Sequence, residues 1–304
     1  MIPSPENTAS SAQPAASVSV PQPIKTIAVV GAGTMGLGIA QLCVQHGFPT
    51  ILFDLNADIL AKAEVAIAAG LGKLVEKGKM PSTEREAALA RLRPTTDLAI
   101  VQADLIIEAV VEKLAVKHEL FQNLAAQNAP QTILASNTSS LPITRLAAAV
   151  PHPERVVGMH FFNPAPLMPL VEVISGVATA PAVADAVQAL AEKLGKQPVR
   201  AADAPGFIVN RVARHFYVES LKVVEEQVAP FDVVDELLEA TGFRMGPFRL
   251  MDLIGVDTNF SVTSAMFEAF HFDPKFRPSR IQQQKVDAGH HGRKTGKGFY
   301  DYSS

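Results

Sequence analysis

From residue 24 onward the chain alternates short apolar runs with longer stretches in which apolar positions recur every three or four residues. Ile24 to Val30 is a run with β-branched residues that stops at Gly31, the pattern of a strand covered on both faces. Met35 to His46 continues with helical spacing and ends near Gly47. "TILFD" gives a second strand ending at Asp54, and Ala57 to Glu76 gives a long helix. Thr83 and Glu86 then have the spacing of a capping box for another helix. Further strands are expected at "DLIIEAV", "TILAS", "RVVGMHF" and "PLVEVI", with helices at Leu114 to Ala126 and Ala180 to Leu194. Strands alternating with helices predict an α/β fold built on a mostly parallel sheet with helices on both faces. After about Asp203 the strand patterns vanish. Pro205-Gly206 opens a long amphipathic helix, and the pattern stays helical up to a glycine-rich end. The chain thus divides into a tail over 1–23, an α/β domain over 24–203 and an all-helical C-terminal domain over 204–304.

Composition narrows the function. Of 304 residues 48% are hydrophobic and 19% charged, enough to bury a sizeable core. A net charge of -3 leaves no footprint for nucleic acid or an anionic membrane. Cys43 is the single cysteine, which rules out an internal disulfide and fits a cytoplasmic protein. The first 23 residues contain five prolines and no Lys or Arg, so a disordered tail is expected there rather than a secretory or mitochondrial leader. "IAVVGAGTMGLGIAQLCV" is apolar enough for a membrane span, but its clustered glycines favour a strand, a turn and a helix.

That turn carries chemistry. In "VVGAGTMG", Gly31, Gly33 and Gly36 have the GxGxxG spacing directly after a strand and before a helix, with Thr34 and Met35 between the last two. The glycines serve a tight turn, close approach of backbone to a pyrophosphate, and close helix–strand packing. The helix amino terminus offers free N–H groups and a favourable dipole to the phosphates. Asp54, ending the second strand, is placed to accept ribose hydroxyls and would repel a 2′-phosphate, so NAD is favoured over NADP. A Rossmann-type domain is the expected reading of residues 24–203.

His160 and Glu172 are the titratable groups of "GMHFFNPAPLMPLVEVI". The histidine ends one expected strand and the glutamate lies on the next, across a turn holding Pro164, Pro166 and Pro169. Hydride transfer from a secondary alcohol to NAD also requires loss of the hydroxyl proton, and imidazole suits that work near neutrality. A carboxylate on the far ring nitrogen fixes the tautomer and stabilises the imidazolium. Spacing alone also permits a structural histidine and a solvated glutamate.

"ASNTSSLPIT", "GMHFFNPAP", "LVEVI", "APGFIVNRV", "MGPFRLMDLIGVD" and "GRKTGKGFYDY" together resemble the L-3-hydroxyacyl-CoA dehydrogenase family from about Ile24 to Tyr302. The resemblance implies an NAD-binding Rossmann domain and a helical domain that forms most of a homodimer interface. It implies reversible oxidation of a 3-hydroxyacyl-CoA to the 3-ketoacyl-CoA. His160 then matches the catalytic base and Glu172 its partner. Asn210 matches an asparagine that holds substrate near the histidine, and Ser139 a serine that hydrogen-bonds the substrate. Glu112, Lys117 and Asn137 match positions around the nicotinamide-ribose end of NAD. The N-terminal tail is the one departure from the family pattern.

The resemblance also suggests Lys73, Lys77 and Lys79 for the phosphates of coenzyme A, although surface lysines are ordinarily just solvated. The segment after Phe243 looks more like the branch that handles 3-hydroxyadipyl-CoA, with Arg244 and Arg249 as candidates for its terminal carboxylate. His290-His291 has no accompanying carboxylate or thiol cluster, so no metal is expected. Three other readings stay open. The 6-phosphogluconate and 3-hydroxyisobutyrate dehydrogenases share the glycine loop but need a lysine that Phe207 to Arg214 lacks. A gulonate-like hydroxy acid could replace the CoA ester, and an NAD-binding redox sensor would need no turnover.

Overall fold

The computed structural model describes residues 23–303; apart from Pro23, the expected tail lies outside them. The elements in chain order are β1 (Ile27–Val30), α1 (Thr34–Gln45), β2 (Thr50–Phe53), α2 (Ala57–Glu76), α3 (Ser82–Ala90), β3 (Leu92–Thr95), β4 (Leu105–Glu108) and α4 (Leu114–Gln127). There follow β5 (Ile133–Ser136), α5 (Ile143–Ala147), β6 (Val156–Phe161), β7 (Leu170–Ser175), α6 (Pro181–Lys193) and β8 (Gln197–Ala202). The C-terminal region is helical: α7 (Val209–Glu225), α8 (Phe231–Ala240), α9 (Pro247–Ile254), α10 (Val256–Ala269) and α11 (Arg280–Asp287).

The eight strands form one sheet in the order β3-β2-β1-β4-β5-β6-β7-β8. Every pairing is parallel except β6–β7, which is antiparallel. The order reverses direction between β1 and β4, so a crevice opens at the carboxyl ends of those strands, where open α/β sheets bind ligands. Apolar residues of α1, α2 and α6 (Ile39, Ile67 and Val187 among them) cover one face. Phe121 and Leu124 of α4 and Ile143 and Leu146 of α5 cover the other. Burial on both faces is why β1, β4, β5 and β6 are mainly apolar, with their few polar residues at or near the carboxyl ends. Among the described residues no helix is long and apolar enough to cross a membrane.

The helical region has its own core, with Tyr217, Leu221, Phe248, Met251 and Phe299 at its centre. Buried Asp252 accepts the amides of Phe299 and Tyr300, and buried Asp235 accepts the amide of Phe248 and the Tyr300 hydroxyl. Two carboxylates thereby fasten the glycine-rich end onto the domain.

The structure differs from the sequence pattern at several elements, the short helix α5 among them. β3 and β8 were not expected; both are edge strands, and each carries a proline (Pro94, Pro198) that breaks the β pattern yet is tolerated at an edge. α3 starts at Ser82 after Pro81, so Thr83 and Glu86 lie inside the helix and no side-chain cap forms. β1 begins at Ile27 rather than Ile24. α7 begins at Val209 because Gly206 and Phe207 adopt left-handed φ angles of 72° and 49°, which turn the chain before the helix can start.

Candidate active site

The sheet collects its chemistry along one edge. Gly31 follows β1, Asp54 follows β2, Glu108 ends β4, Ser136 ends β5 and His160 is the next-to-last residue of β6. All five strands run in the same direction, so these groups share the carboxyl edge.

The three loop glycines separate into two kinds. Gly31 has φ 102°, and a Cβ there would lie 2.6 Å from the Ala109 carbonyl oxygen. A Cβ on Gly36 would lie 1.7 Å from the Gly31 carbonyl oxygen. Both positions are imposed by the protein's own backbone. Gly33 is different: a Cβ there would meet no protein atom within 4 Å. It is the N-cap of α1, whose first turn has neither a side-chain cap nor an acid, so the amides of Thr34 and Met35 face open space. Beside it lies a cleft of about 540 Å³ lined by Gly31, Gly33, Asp54, Ile59, Val110 and Leu120 among others, within the range of small-molecule sites. Asp54 Oδ2 accepts the Ala32 amide at 2.8 Å, which ties the acid to the glycine loop. Open space at Gly33, an uncapped helix terminus and an acid on the wall fit a dinucleotide.

β6 and β7 pair so that His160 stands directly opposite Glu172 and Gly158 opposite Ile174. Paired residues share a face, and here it is the one packed by α5. Gly158 is required on it because a Cβ would come within 2.8 Å of Ile174. His160 Nδ1 lies 2.8 Å from Glu172 Oε2. Glu172 Oε1 accepts the amides of Ile208 and Val209, each at 2.9 Å. Burial works against a charged Glu172, but the His160 ring and these two amides outweigh it and hold the carboxyl below its usual range. With a carboxylate at Nδ1, the neutral ring keeps its proton there and presents Nε2 as the acceptor. Nε2 has no hydrogen-bond partner among the described residues. Phe162 and Phe207 flank the ring, with centroids 4.5 and 5.8 Å away, and limit its contact with water.

The other candidates lie on or contact the loop after β5 and the residues that hold it. Asn137 Oδ1 accepts the Phe161 amide at 2.9 Å, so it secures the end of β6 beside His160. Asn210, in the first turn of α7, donates Nδ2 to the Ser139 carbonyl at 3.4 Å, joining the helical domain to the loop after β5. Glu112 accepts from the Thr138 hydroxyl, the Ser139 amide and the Ser140 hydroxyl. Burial opposes its ionisation, yet Lys117 and these donors hold its carboxyl low. Lys117 is 1% exposed, lies between Glu108 and Glu112 and does not line the cleft.

Lys73, Lys77 and Lys79 stand apart, exposed around the C-terminal end of α2 without an ion-pair partner among the described residues. Arg249 pairs with Glu239 at 3.0 Å and lies over the Tyr300 ring, which commits it to the helical core; Arg244 is exposed. His291 bonds the Val286 carbonyl. The sequence reading missed Glu108, Phe162 and Phe207 as members of the site. An acid inside the apolar run "DLIIEAV" was a signal for Glu108, whereas nothing local distinguishes the two phenylalanines from core residues.

Comparison with known proteins bears on the family and the fold. Residues 26–204 match the family described as 3-hydroxyacyl-CoA dehydrogenase, NAD binding domain, and residues 206–302 match its C-terminal domain. The chain is 50% identical over 92% of its length to a 3-hydroxyadipyl-CoA dehydrogenase of Escherichia coli K12, but spans 59% of that protein. It is 43% identical to a probable 3-hydroxybutyryl-CoA dehydrogenase of Deinococcus radiodurans, covering 90% of this chain and 99% of that one. The crystal structure of (S)-3-hydroxybutyryl-CoA dehydrogenase PaaH1 from Ralstonia eutropha superposes with a TM-score of 0.89 at 38% identity, covering 92% of this chain and all of that one. On these matches, which together span nearly all the described residues, the chain belongs to the 3-hydroxyacyl-CoA dehydrogenase family.

Proposed function

We propose that this protein oxidises an L-3-hydroxyacyl-CoA to the 3-ketoacyl-CoA, reversibly, with NAD as coenzyme and His160 as the proton-transfer group. The observation that carries the reading is the 2.8 Å contact of His160 Nδ1 with a Glu172 carboxylate whose other oxygen is held by two amides. NAD supplies the hydride acceptor when bound to Gly31, Gly33, Thr34, Met35, Gly36 and Asp54. His160 Nε2 takes the proton of the 3-hydroxyl in oxidation and returns it in reduction. Glu172 stabilises the imidazolium and keeps the ring from turning. Asn210 and Ser139 hold the substrate oxygens, while Glu112, Lys117 and Asn137 shape the nicotinamide-ribose end.

Adding acetoacetyl-CoA to protein with NADH tests this: the NADH absorbance falls if the reading is right. No change with that ester or any longer ketoacyl-CoA would favour a sensor, and turnover of a free hydroxy acid alone would favour the gulonate-like reading.

The identity to a protein named for 3-hydroxyadipyl-CoA supports a dicarboxylic acyl chain. With Arg249 engaged by Glu239, Arg244 is the better placed partner for its terminal carboxylate. Comparing kcat/KM for acetoacetyl-CoA and 3-oxoadipyl-CoA decides between the classes. Lys73, Lys77 and Lys79 would take the CoA phosphates, so replacing all three with alanine would raise KM and spare kcat. A cytoplasmic homodimer through the helical domain completes the reading; exposed Val212, Leu237, Phe243, Leu253 and Phe272 there suit burial against a second copy.

A further inference from the structure

We propose that Glu108 is a positioning residue for the acyl substrate, acting through the loop Ser136–Ser140. The inference rests on the functional reading above, which gives Ser139 and Asn210 to the substrate. Glu108 ends β4 and is fully buried, an expensive place for a carboxylate unless every lone pair is used. Its neighbours use them. Lys117 Nζ reaches its two oxygens at 2.7 and 2.9 Å, the Ser136 hydroxyl donates to Oε2 at 2.6 Å, and the Val110 amide donates to Oε1 at 2.8 Å.

Two routes lead from Glu108 to the same turn. In one, Lys117 bridges to Glu112 at 2.9 Å, and Glu112 receives the Thr138 and Ser140 hydroxyls and the Ser139 amide. In the other, the Ser136 hydroxyl held by Glu108 receives the Thr138 amide at 3.2 Å. The routes close a ring at Thr138, whose hydroxyl oxygen also accepts the Leu141 amide. Ser139 stands at the turn that this ring fastens, and its carbonyl oxygen receives Asn210 from the other domain. Lys117 has three N–H groups and three carboxylate oxygens within 2.9 Å, so it has no donor left for a ligand. Its position serves the ring, and the ring depends on Glu108.

The test is Glu108→Gln, which keeps the shape of the side chain but removes the charge that holds Lys117. Acetoacetyl-CoA with NAD+ is a dead-end pair, since both are oxidised and neither can give a hydride, so calorimetry on the NAD+-loaded protein reads acyl binding without turnover. We expect the Kd for acetoacetyl-CoA to rise about tenfold while the Kd for NAD+ stays within about twofold. In a Ser139→Ala background the same change should shift acyl Kd by less than about twofold, because the group it positions is gone. If Glu108→Gln does not fold, Glu108→Gln with Lys117→Met removes both charges, and the acyl Kd should still be raised. An acyl Kd equal to wild type in a folded variant, an equal loss of NAD+ affinity, or an undiminished effect in the Ser139→Ala background would each overturn the proposal. Wild-type turnover, measured separately, judges the functional reading: protein that binds acetoacetyl-CoA but does not consume NADH would sink that reading and leave the Glu108 result to stand or fall on the Kd values.

Discussion

Glu172 Oε1 accepts the amide of Val209, the first residue of α7, at 2.9 Å, while its Oε2 meets His160 Nδ1 at 2.8 Å. One carboxylate therefore orients the histidine and receives the leading helix of the C-terminal domain. Gly206 and Phe207, both left-handed, produce the turn that delivers the two amides. Backbone held in that region by a non-glycine residue costs energy, and Glu172 is among the contacts that keep it there.

Glu172→Gln should therefore damage two properties together. An amide cannot serve as acceptor for the ring and for two backbone N–H groups with equal strength, and it carries no charge to stabilise an imidazolium. We expect kcat to fall by roughly two to four orders of magnitude, with Tm lowered in the same variant. Steady-state kinetics and thermal unfolding check this; a loss of kcat at unchanged Tm would show that the helix does not depend on the carboxylate.

Acid stability follows from the same group. The folded-state pKa of Glu172 is depressed below its ordinary 4.5, so its contribution is fully present above that value and is lost as pH falls through the depressed one. Glu112 has the same sign. Tm should therefore drop steeply below about pH 4.5 in the wild type, and less steeply in Glu172→Gln. Parallel Tm–pH curves for the two proteins would contradict the assignment.

Gly33 and Gly36 should respond in opposite ways to alanine. Gly36→Ala puts a methyl 1.7 Å from the Gly31 carbonyl, so the prediction is a protein that folds poorly or not at all. Gly33→Ala meets no protein atom and keeps an ordinary φ of -65°, so Tm should hold while Kd for NAD rises about tenfold or more. Circular dichroism melting and coenzyme titration separate the two; unchanged NAD affinity in Gly33→Ala would remove that residue from the coenzyme site.

Much of this was legible in the residues because the signals were local. The glycine spacing, the apolar runs buried on both faces and the acid just after β2 each need only a few neighbours to be read. The His160–Glu172 contact was legible as a possibility: a proline-bearing turn between two strands brings both residues to one face, but the distance between them depends on register. The edge strands β3 and β8 were hidden because Pro94 and Pro198 break the β pattern. The ring around Glu108 joins β4, α4 and β5, and the amides that hold Glu172 come from α7; such links exist only once the chain has folded. Lys117 illustrates the limit, since a charged residue in a helix gives no sign that it will be 1% exposed between two carboxylates.

The most direct measurement is His160→Gln, assayed with acetoacetyl-CoA and NADH and titrated with NAD+. Removal of the proton-transfer group predicts a kcat lower by roughly three or more orders of magnitude with the Kd for NAD+ within about twofold of wild type. Turnover near the wild-type rate in that variant would contradict the role given to His160.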